Sequence, residues 1–384
     1  MKSTPTHVYR IGIDARLYRA QTGGIGRYAR ELIQHLSYID HVNEYYIFLT
    51  EEDLLEWHCD NPNFHPVVAA VTHYTLAEQT TLLRLLNSYH LDLVHFLHFN
   101  HPVGYRRPFI VTLHDLTLLH KPETARTGAK HALRQQAFRL VFKHSVQKSK
   151  KVIAVSEFTA HDAEKTLNVS HAKMEVIYEG APYVQEIQFG SKKTIHDYLG
   201  TKEPYILFVS QWREHKGIKV LLEAFQLFKE HHKLPYKLVL LGRQEKASPE
   251  IREALASSSV SADIITPGFA PEELLPALYT YASAFVMPSE YEGFGLPVLE
   301  ALSYGAPTVV AKNSSLPEVG GDAVLYFETG NASELAEKLN TILTNEALSQ
   351  ELRGKGYKQV QGFQWEKAAV QTHALYLSVL EKHR

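Results

Sequence analysis

The sequence predicts an α/β protein built from two doubly wound, Rossmann-like domains that face each other across a cleft. Three observations lead to this fold class. Short β-branched and apolar segments alternate with longer stretches of helical period. These segments fall into two consecutive series of similar extent, separated by a polar stretch at 181–204. The length of 384 residues, at about 150 residues per domain, also favours two domains.

The strand segments are apolar almost throughout, which indicates parallel sheets that are covered on both faces. Predicted strands of the first series lie at 8–14, 45–49, 66–71, 91–96, 109–115, 152–156 and 174–178. Those of the second series lie at 205–210, 236–242, 263–268, 284–289, 307–311 and 323–327. We interpret 181–204 as a linker. The expected domains are therefore 1–185 and 186–365, followed by a helix over 366–384 that packs back on the first domain.

The composition excludes several classes of protein. With 40 Lys and Arg against 42 Asp and Glu the net charge is −2, whereas a dedicated nucleic-acid binder carries a basic excess. We therefore expect no nucleic-acid partner. The single cysteine, Cys59, cannot form an internal disulfide, which suits a reducing compartment. Because no apolar run approaches the roughly 18 residues of a membrane span and no signal-peptide pattern is present, we expect a cytoplasmic location.

The most informative motif, EYEGFGLPVLEALSYG, follows the predicted strand 284–289. Ligands of open α/β sheets bind beyond the carboxyl ends of the strands, so this position matters. Pro297 predicts a helix that begins near Leu296, and a helix N-terminus is a natural site for a diphosphate. Gly293 and Gly295 lie just before that helix, where bare backbone can approach a ligand closely.

Two glutamates flank this helix start, and neither would help to bind a diphosphate. We therefore expect Glu292 and Glu300 to bind neutral hydroxyl groups, such as those of a sugar ring. The alternative is an ordinary strand–turn–helix with two solvated glutamates. After the strand 205–210, Arg213 and Lys216 precede a predicted helix that starts at Gly217, where cations can stabilise a departing diphosphate. A solvated basic loop is the alternative for these two residues.

In the first series, Gly23 and Gly24 lie between a strand and a helical stretch, where backbone amides can bind phosphate. A plain flexible loop is the alternative. His114 and Asp115 end the strand 109–115 and would face the proposed cleft, where a histidine can bond a sugar or steady developing charge. A structural histidine is the alternative.

Three histidines, His95, His98 and His101, recur at three-residue spacing, which raises the question of a zinc site. However, the alternation of side chains along a strand turns His95 and His98 to opposite faces, and no cysteine ligand or H-E-x-x-H motif is present. We therefore expect no metal.

A basic stretch covers the end of the first series. From 121 to 151 there are nine Lys or Arg and one acid, interleaved with apolar residues such as Phe138 and Phe142. A basic amphipathic helix of this kind over 126–151 could dock on an anionic membrane surface, which would place the protein at the inner face of the membrane. A surface helix whose apolar stripe faces the core is the alternative.

The order of these motifs resembles glycosyltransferase family 4, which consists of retaining enzymes with the GT-B fold. The resemblance runs from IGIDARLY and TGGIGRYARELI through FIVTLHDL and VIYEGAP to SEYEGFGLPVLEALSYGAPTVVA, SLPEVGGDA and FQWEKAA. It implies an acceptor-side first domain and a second domain that binds a nucleotide sugar. Where the family has Gly-Arg after the strand 205–210, this sequence has Ser210 and Gln211, so either Arg213 replaces that arginine or the diphosphate is bound more weakly.

The resemblance implies a role for each candidate residue. Glu292 would contact the donor sugar, Glu300 the ribose and Lys216 the diphosphate, and His114 would belong to the active site. The predicted site residues are thus His114, Asp115 and Glu292 for catalysis, and Gly23, Gly24, Arg213, Lys216, Gly293, Phe294, Gly295, Leu296 and Glu300 for donor binding.

The function that follows is transfer of a hexose, with retention, from a nucleotide diphosphate sugar to a hydroxyl of a glycan or of a polyprenyl-linked acceptor. The motifs look closest to bacterial mannosyltransferases, so GDP-mannose is the first donor to consider. No cofactor beyond this donor substrate is expected. Two alternatives stay open, namely a sugar-nucleotide epimerase of the same fold and a non-catalytic sugar-nucleotide-binding subunit.

Overall fold

The computed structural model describes residues 7–19, 22–120, 129–182, 190–243 and 249–382, without the side chains of 129–135. The chain divides into two compact units. Unit 1 comprises Met1–Gly180 together with Gln364–Arg384, and unit 2 comprises Ala181–Phe363. The predicted boundary at residue 185 lies outside the described residues.

Unit 1 is built on a parallel sheet. Its strands are β1 (Arg10–Asp14), β2 (Glu44–Leu49), β3 (Phe64–Val68), β4 (Leu93–Phe96), β5 (Phe109–Leu113), β6 (Lys151–Ala154) and β7 (Met174–Val176). In the described residues, they form one sheet in the order β3-β2-β1-β4-β5-β6-β7. The order reverses between β1 and β4, which makes the sheet doubly wound.

Helices of unit 1 lie between these strands, and a final helix follows unit 2 in the chain. They are α1 (Gly24–Ile39), α2 (Glu51–Leu54), α3 (Leu83–Ser88), α4 (Thr117–His120), α5 (Ala129–Lys148), α6 (Glu157–Leu167) and the closing helix α15 (Trp365–Glu381). Helix α15 packs against α1. The interior strand β5 is buried along its whole length, as expected for a sheet that is covered on both faces.

Unit 2 repeats this plan with a second parallel sheet. Its strands are β8 (Tyr205–Val209), β9 (Lys237–Leu241), β10 (Ile264–Gly268), β11 (Ala284–Met287), β12 (Thr308–Ala311) and β13 (Leu325–Phe327). Over the described part of the chain, the sheet order is β10-β9-β8-β11-β12-β13. The order reverses between β8 and β11, so the loops after these two neighbouring strands diverge from one point of the sheet edge.

The helices of unit 2 include one that the sequence analysis missed. They are α7 (Lys192–Leu199), α8 (Ile218–His232), α9 (Pro249–Ser257), α10 (Leu275–Thr280), α11 (Leu296–Ser303), α12 (Leu316–Gly320), α13 (Ala332–Thr344) and α14 (Glu346–Gln359).

Helix α7 lies inside 181–204, so the interpretation of that stretch as a linker is wrong for this segment. The Ser191 side chain caps the helix N-terminus, and Ile195 and Leu199, four residues apart, are both buried. Two apolar residues were too few to stand out in a stretch of otherwise polar composition.

The predicted α/β class with two doubly wound parallel sheets is confirmed. Each predicted strand segment contains or overlaps a strand of the structure, although β3 starts and ends earlier than predicted. The predicted helix starts at Leu296 and after Gly217 are also those of α11 and α8. Proline and glycine mark a helix start through the backbone of one or two residues, so both helix starts could be predicted from the sequence.

The basic stretch 126–151 is described only in part, since residues 121–128 and the side chains of 129–135 lie outside the described residues. Phe142 is buried and stacks on Phe99, with ring centroids 3.8 Å apart. At least this part of the apolar stripe therefore faces the core of unit 1. In the part of the chain that the structure describes, no helix combines the length and the apolar character that a membrane crossing requires.

A buried chain of polar side chains connects α15 to the sheet of unit 1. The Tyr28 hydroxyl lies 3.0 Å from Thr112 Oγ1, which lies 2.8 Å from His95 Nε2. On the other side of the ring, His95 Nδ1 lies 2.7 Å from the Tyr376 hydroxyl. Burial, followed by the charge of His114, lowers the pKa of His95 to about 3, so this imidazole is neutral near pH 7.

We predict that His95 makes the stability of the protein depend on pH. Between pH 6.5 and about 3, the unfolded chain takes up a proton at His95 that the folded chain does not. The free energy of unfolding should therefore fall as the pH decreases below 6.5, by up to about 1.4 kcal/mol per pH unit from this residue.

Denaturant unfolding of the wild type and of His95→Gln at pH 7, 6 and 5 measures this contribution. The variant, which has no titrating group at position 95, should lose less stability on acidification than the wild type. Equal losses in the two proteins would contradict the prediction.

Candidate active site

The residues predicted from the second series lie on segments that leave the carboxyl edge of the unit 2 sheet. Lys216 follows β8, while Glu292 and Glu300 follow the neighbouring strand β11. Because parallel strands end at the same edge, residues distant in sequence come together there. Pro297 occupies the first turn of α11, as the sequence predicted.

Lys216 and Glu292 form an ion pair. The lysine Nζ lies 2.8 Å from Glu292 Oε1 and 2.9 Å from Oε2, so it donates to both carboxylate oxygens. The two side chains are largely buried, with 17% and 10% of their surface exposed. Because water reaches neither charge freely, each stabilises the other. A diphosphate that binds here would share the cation with Glu292.

Gly217 allows the loops after β8 and β11 to pack backbone against backbone. Its φ of 70° lies in the left-handed region, and a Cβ at this position would lie 2.0 Å from the carbonyl oxygen of Pro288. Close by, the amide of Glu290 donates to the carbonyl of His215 at 2.8 Å. A side chain at position 217 would separate the two loops that supply the ion pair.

Two serines absent from the predicted site hold the backbone around Glu292. The amide of Glu292 donates to Ser314 Oγ at 3.0 Å. The Ser315 hydroxyl lies 3.0 Å from the carbonyl oxygen of Glu292 and 2.7 Å from that of Phe294. The motif SLPEVGGDA, which begins at Ser315, was visible in the sequence, but its contact with Glu292 depends on the tertiary structure.

Glu300 lies one turn into α11 and is buried. The hydroxyl of Tyr279 in α10 donates to its Oε2 at 2.7 Å. Tyr279 is itself fully buried and stacks on Tyr304, with ring centroids 5.8 Å apart. The tyrosine therefore fixes the carboxylate at the mouth of the helix. No local pattern around Tyr279 marked it as a site residue.

The predicted donor-binding residues between the two glutamates have different surroundings. Gly295 directly precedes α11, and Leu296 is its first residue. The ring of Phe294 is buried and lies 5.9 Å from that of Phe363, so this side chain packs in the interior of unit 2. Binding of the donor by Gly293, Phe294 and Gly295 stays a prediction.

Arg213, which we predicted to replace the missing family arginine, is exposed. Its Nε donates to the Gln211 side-chain oxygen at 3.2 Å. The bond links the arginine to the residue that stands where the family has its own arginine. Binding of a phosphate by Arg213 stays a prediction.

In unit 1, Gly23 and Gly24 lie at the N-terminus of α1. Gly24 is the first helical residue and is exposed, and Gly23 precedes it with a φ of 76°. The carbonyl of Gly23 accepts from the amide of Arg27 at 3.1 Å, which is the first bond of the helix. The loop thus has the strand–loop–helix setting that the sequence predicted, while its role in donor binding stays a prediction.

His114 and Asp115 follow β5 directly. His114 Nε2 lies 2.9 Å from the carbonyl oxygen of Leu97, and its Nδ1 lies 3.1 Å from Glu179 Oε1. Asp115 accepts from the amide of Thr117, the first residue of α4, at 2.8 Å. The catalytic role of Asp115 stays a prediction, and Glu179 is a neighbour of His114 that was not among the predicted site residues.

The three histidines at three-residue spacing have different surroundings. His95 lies in the buried polar chain, and His101 Nε2 lies 3.1 Å from His144 Nδ1. Within the described ranges, no group of three or more His, Cys, Asp or Glu is arranged to hold a metal ion. The expectation of a metal-free site stays a prediction.

Two protein-family models match the chain. The model described as Glycosyltransferase Family 4 matches residues 22–182, and the model described as Glycosyl transferases group 1 matches residues 192–359. Between them they cover the described strands of both sheets except β1. The chain belongs to glycosyltransferase family 4. The resemblance that the motifs indicated is thus confirmed.

Relatives of this glycosyltransferase include bacterial mannosyltransferases. It is 26% identical over 369 residues to O-antigen chain mannosyltransferase B of Escherichia coli, across 92% of this chain and 95% of that protein. It is 30% identical over 223 residues to the serotype-specific mannosyltransferase WbdA of Escherichia coli, across 56% of this chain and 26% of that protein. The chain therefore matches about a quarter of the length of WbdA. Neither the epimerase nor the non-catalytic alternative is favoured by these relatives.

Solved structures show the same fold. Sucrose-phosphate synthase from Thermosynechococcus elongatus matches with a TM-score of 0.79 at 19% identity, covering 97% of this chain and 100% of that chain. HepE of Anabaena, in complex with UDP-glucose, matches with a TM-score of 0.75 at 18% identity, covering 96% and 100%. This glycosyltransferase accordingly has the predicted GT-B fold.

We predict that Lys216→Met destabilises the glycosyltransferase, because it leaves the carboxylate of Glu292 largely buried without its cation. The expected loss is about 1–3 kcal/mol in the free energy of unfolding. Lys219→Met, an exposed lysine three residues away, is the matched control and should change stability little.

Denaturant unfolding of the two single variants and of the double variant Lys216→Met/Glu292→Gln measures the effect. Because glutamine carries no charge, the double variant should recover part of the loss. A Lys216→Met protein as stable as the Lys219→Met control would show that the ion pair contributes nothing to stability.

Proposed function

We propose that this glycosyltransferase transfers mannose from GDP-mannose to a hydroxyl of a glycan or of a polyprenyl-linked glycan, with retention of configuration. The names of the Escherichia coli relatives support the mannosyl group, and the UDP-glucose held by HepE supports a nucleotide diphosphate sugar as the class of donor. In the reaction, the bond between the anomeric carbon and the diphosphate breaks, and a bond to the acceptor oxygen forms on the same face. The departing diphosphate takes the proton of the acceptor hydroxyl.

Two observations together carry this proposal: the Lys216–Glu292 ion pair and the Tyr279–Glu300 bond, both in segments that follow strands of the unit 2 sheet. A nucleotide diphosphate sugar combines anionic phosphates with two sets of neutral hydroxyls, on the hexose and on the ribose. Carboxylates accept hydrogen bonds from hydroxyls, whereas an ammonium group binds phosphate oxygens. One cation and two fixed carboxylates match that pattern of charge.

Roles follow from this match. We assign Glu292 to the hydroxyls of the transferred sugar, Glu300 to the ribose and Lys216 to the diphosphate. When the diphosphate departs it carries more negative charge than in the substrate, so a cation already held in place by Glu292 stabilises the transition state without reorganising. Arg213 is assigned as a second cation for the diphosphate.

We predict that Glu300→Gln lowers kcat/KM for transfer from GDP-mannose by about 10- to 100-fold, since bonds to a charged acceptor contribute about 1.5–3 kcal/mol. The amide keeps the size of the side chain and still accepts from Tyr279, so the fold should be retained. Glu337→Gln, at an exposed position of α13, is the matched control.

Initial rates with a mannose-containing acceptor pool measure this prediction, after a thermal-shift screen of GDP-mannose, UDP-glucose and related donors has identified the donor. Wild-type turnover in Glu300→Gln would contradict the assignment of Glu300 to the ribose.

The same assay separates the two alternative functions. An epimerase changes the nucleotide sugar without an acceptor, and a binding subunit shows a thermal shift without turnover. The anomeric configuration of the product, read by NMR, tests retention.

We propose further that the basic stretch 126–151 contacts an anionic membrane surface, which would bring the enzyme to a lipid-linked acceptor. In its described part, Arg139, Lys143, Lys148 and Lys150 are exposed, and the apolar side chain of Leu140 is 67% exposed among them. Exposed cations attract the anionic headgroups of a membrane surface, and this attraction supports the proposal.

We predict that the protein pellets with vesicles that contain phosphatidylglycerol at low salt and is released at high salt, because salt screens the attraction. The double variant Lys143→Glu/Lys148→Glu should remain in the supernatant. Lys192→Glu/Lys193→Glu, which makes the same change of charge on α7, should pellet like the wild type. Equal pelleting with neutral and anionic vesicles would contradict an electrostatic contact.

A further inference from the structure

His114 is held from one side by the backbone of a neighbouring strand end. Its Nε2 lies 2.9 Å from the carbonyl oxygen of Leu97, which follows β4. A carbonyl oxygen can only accept a hydrogen bond, so Nε2 is the donor and carries a proton. The ring of Tyr28 packs against the imidazole nearly at right angles, with centroids 4.8 Å apart.

Glu179 holds the other side of the same ring. Its Oε1 lies 3.1 Å from His114 Nδ1, and 5% of its side chain is exposed. Sixty-five residues separate the two in sequence. Buried carboxylates require hydrogen-bond donors, and across the described residues the basic side chain within 4 Å of the Glu179 carboxylate is that of His114. The carboxylate and the imidazole therefore depend on each other.

The backbone next to Glu179 is fixed by the start of α15. A Cβ at Gly180 would lie 2.4 Å from the backbone nitrogen of Trp365 and 2.5 Å from its Cγ, so only glycine permits this approach. The ring of Trp365 in turn lies 6.0 Å from that of Tyr28, the residue that packs on His114. These contacts form a closed cluster, in which Glu179 cannot move without disturbing the packing around the imidazole.

We infer that Glu179 is a positioning residue of the glycosyltransferase, which acts by holding the imidazole of His114 in one orientation at the carboxyl edge of the unit 1 sheet. Leu97 and Glu179 together accept from the two ring nitrogens and so determine the direction in which the ring edge points. A histidine held in this way is preorganised, because its orientation is fixed before the substrate binds. The kinetic part of this inference rests on the proposed function, whereas the structural part does not.

Three substitutions at Glu179 separate the effect of the position of its carboxylate from the effect of its charge. Glu179→Gln keeps the length of the side chain and an oxygen that accepts from Nδ1. Glu179→Asp keeps the charge but withdraws the carboxylate by about 1.5 Å, one carbon–carbon bond. Glu179→Leu removes both. Glu175→Gln, at an exposed position of β7 four residues earlier, is the matched control.

With GDP-mannose as donor, Glu179→Leu and Glu179→Asp should lower kcat by about 10- to 100-fold, the size of effect seen when the partner that orients a functional histidine is removed. KM for the donor should change by less than about 3-fold, because Glu179 acts through His114. Glu179→Gln should restore most of the lost kcat. A kcat for Glu179→Asp equal to that of Glu175→Gln would overturn the inference.

NMR of the histidine ring nitrogens provides a measurement that needs no substrate. The His114 signals, assigned by their loss in His114→Asn, should shift in Glu179→Leu and Glu179→Asp and stay near their wild-type positions in Glu179→Gln. Unchanged His114 signals in Glu179→Asp would overturn the inference. If Glu179→Leu does not fold, the kcat and the His114 signals of Glu179→Asp test the inference. If the wild type does not use GDP-mannose, the donor proposal fails while these signals still test the position of His114.

Discussion

Parallel strand pairing is the constraint on which the rest of this structure depends. In each sheet every strand runs in the same direction, so the chain must return through a helix after each strand, and the loops that follow the strands all leave from one edge. This places the loops after β8 and β11 side by side in unit 2, and those after β4, β5 and β7 near one another in unit 1. The ion pair of Lys216 with Glu292 and the contact of His114 with Glu179 are both consequences of this arrangement.

The buried charges at these edges come in compensated groups. In unit 1 the fully buried Arg16 bonds Asp14 at 2.7 Å and Glu78 at 2.7 Å, directly after β1. In unit 2 Lys216 occupies the same kind of position after the first strand of its sheet, and Glu292 compensates it. The two cations differ in exposure, since the Arg16 side chain is 0% exposed whereas that of Lys216 is 17% exposed. Of these two cations, that of unit 2 is therefore the more accessible to solvent.

How much of the fold could be read from the sequence depends on how local each signal is. The apolar strand segments and the Pro297 and Gly217 helix starts are properties of a few neighbouring residues, and they agree with the structure. Helix α7 was missed because its apolar side is only two residues wide. Asp115 accepts from the amide of Thr117, and its catalytic role stays a prediction, since an aspartate at a strand end fits either role by local pattern alone.

The sequence by itself determined the α/β class, the two series of strands, the family and the loops that carry Glu292, Glu300, Lys216 and His114, because each of these is encoded within a short stretch of chain. Only the tertiary structure decided what those side chains touch. Tyr279 on Glu300, Ser314 on the Glu292 amide and Glu179 on His114 come from elsewhere in the chain, and no periodicity or spacing links them. The physical reason is that a hydrogen bond depends on distance in space, which the strand order sets and the residue number does not.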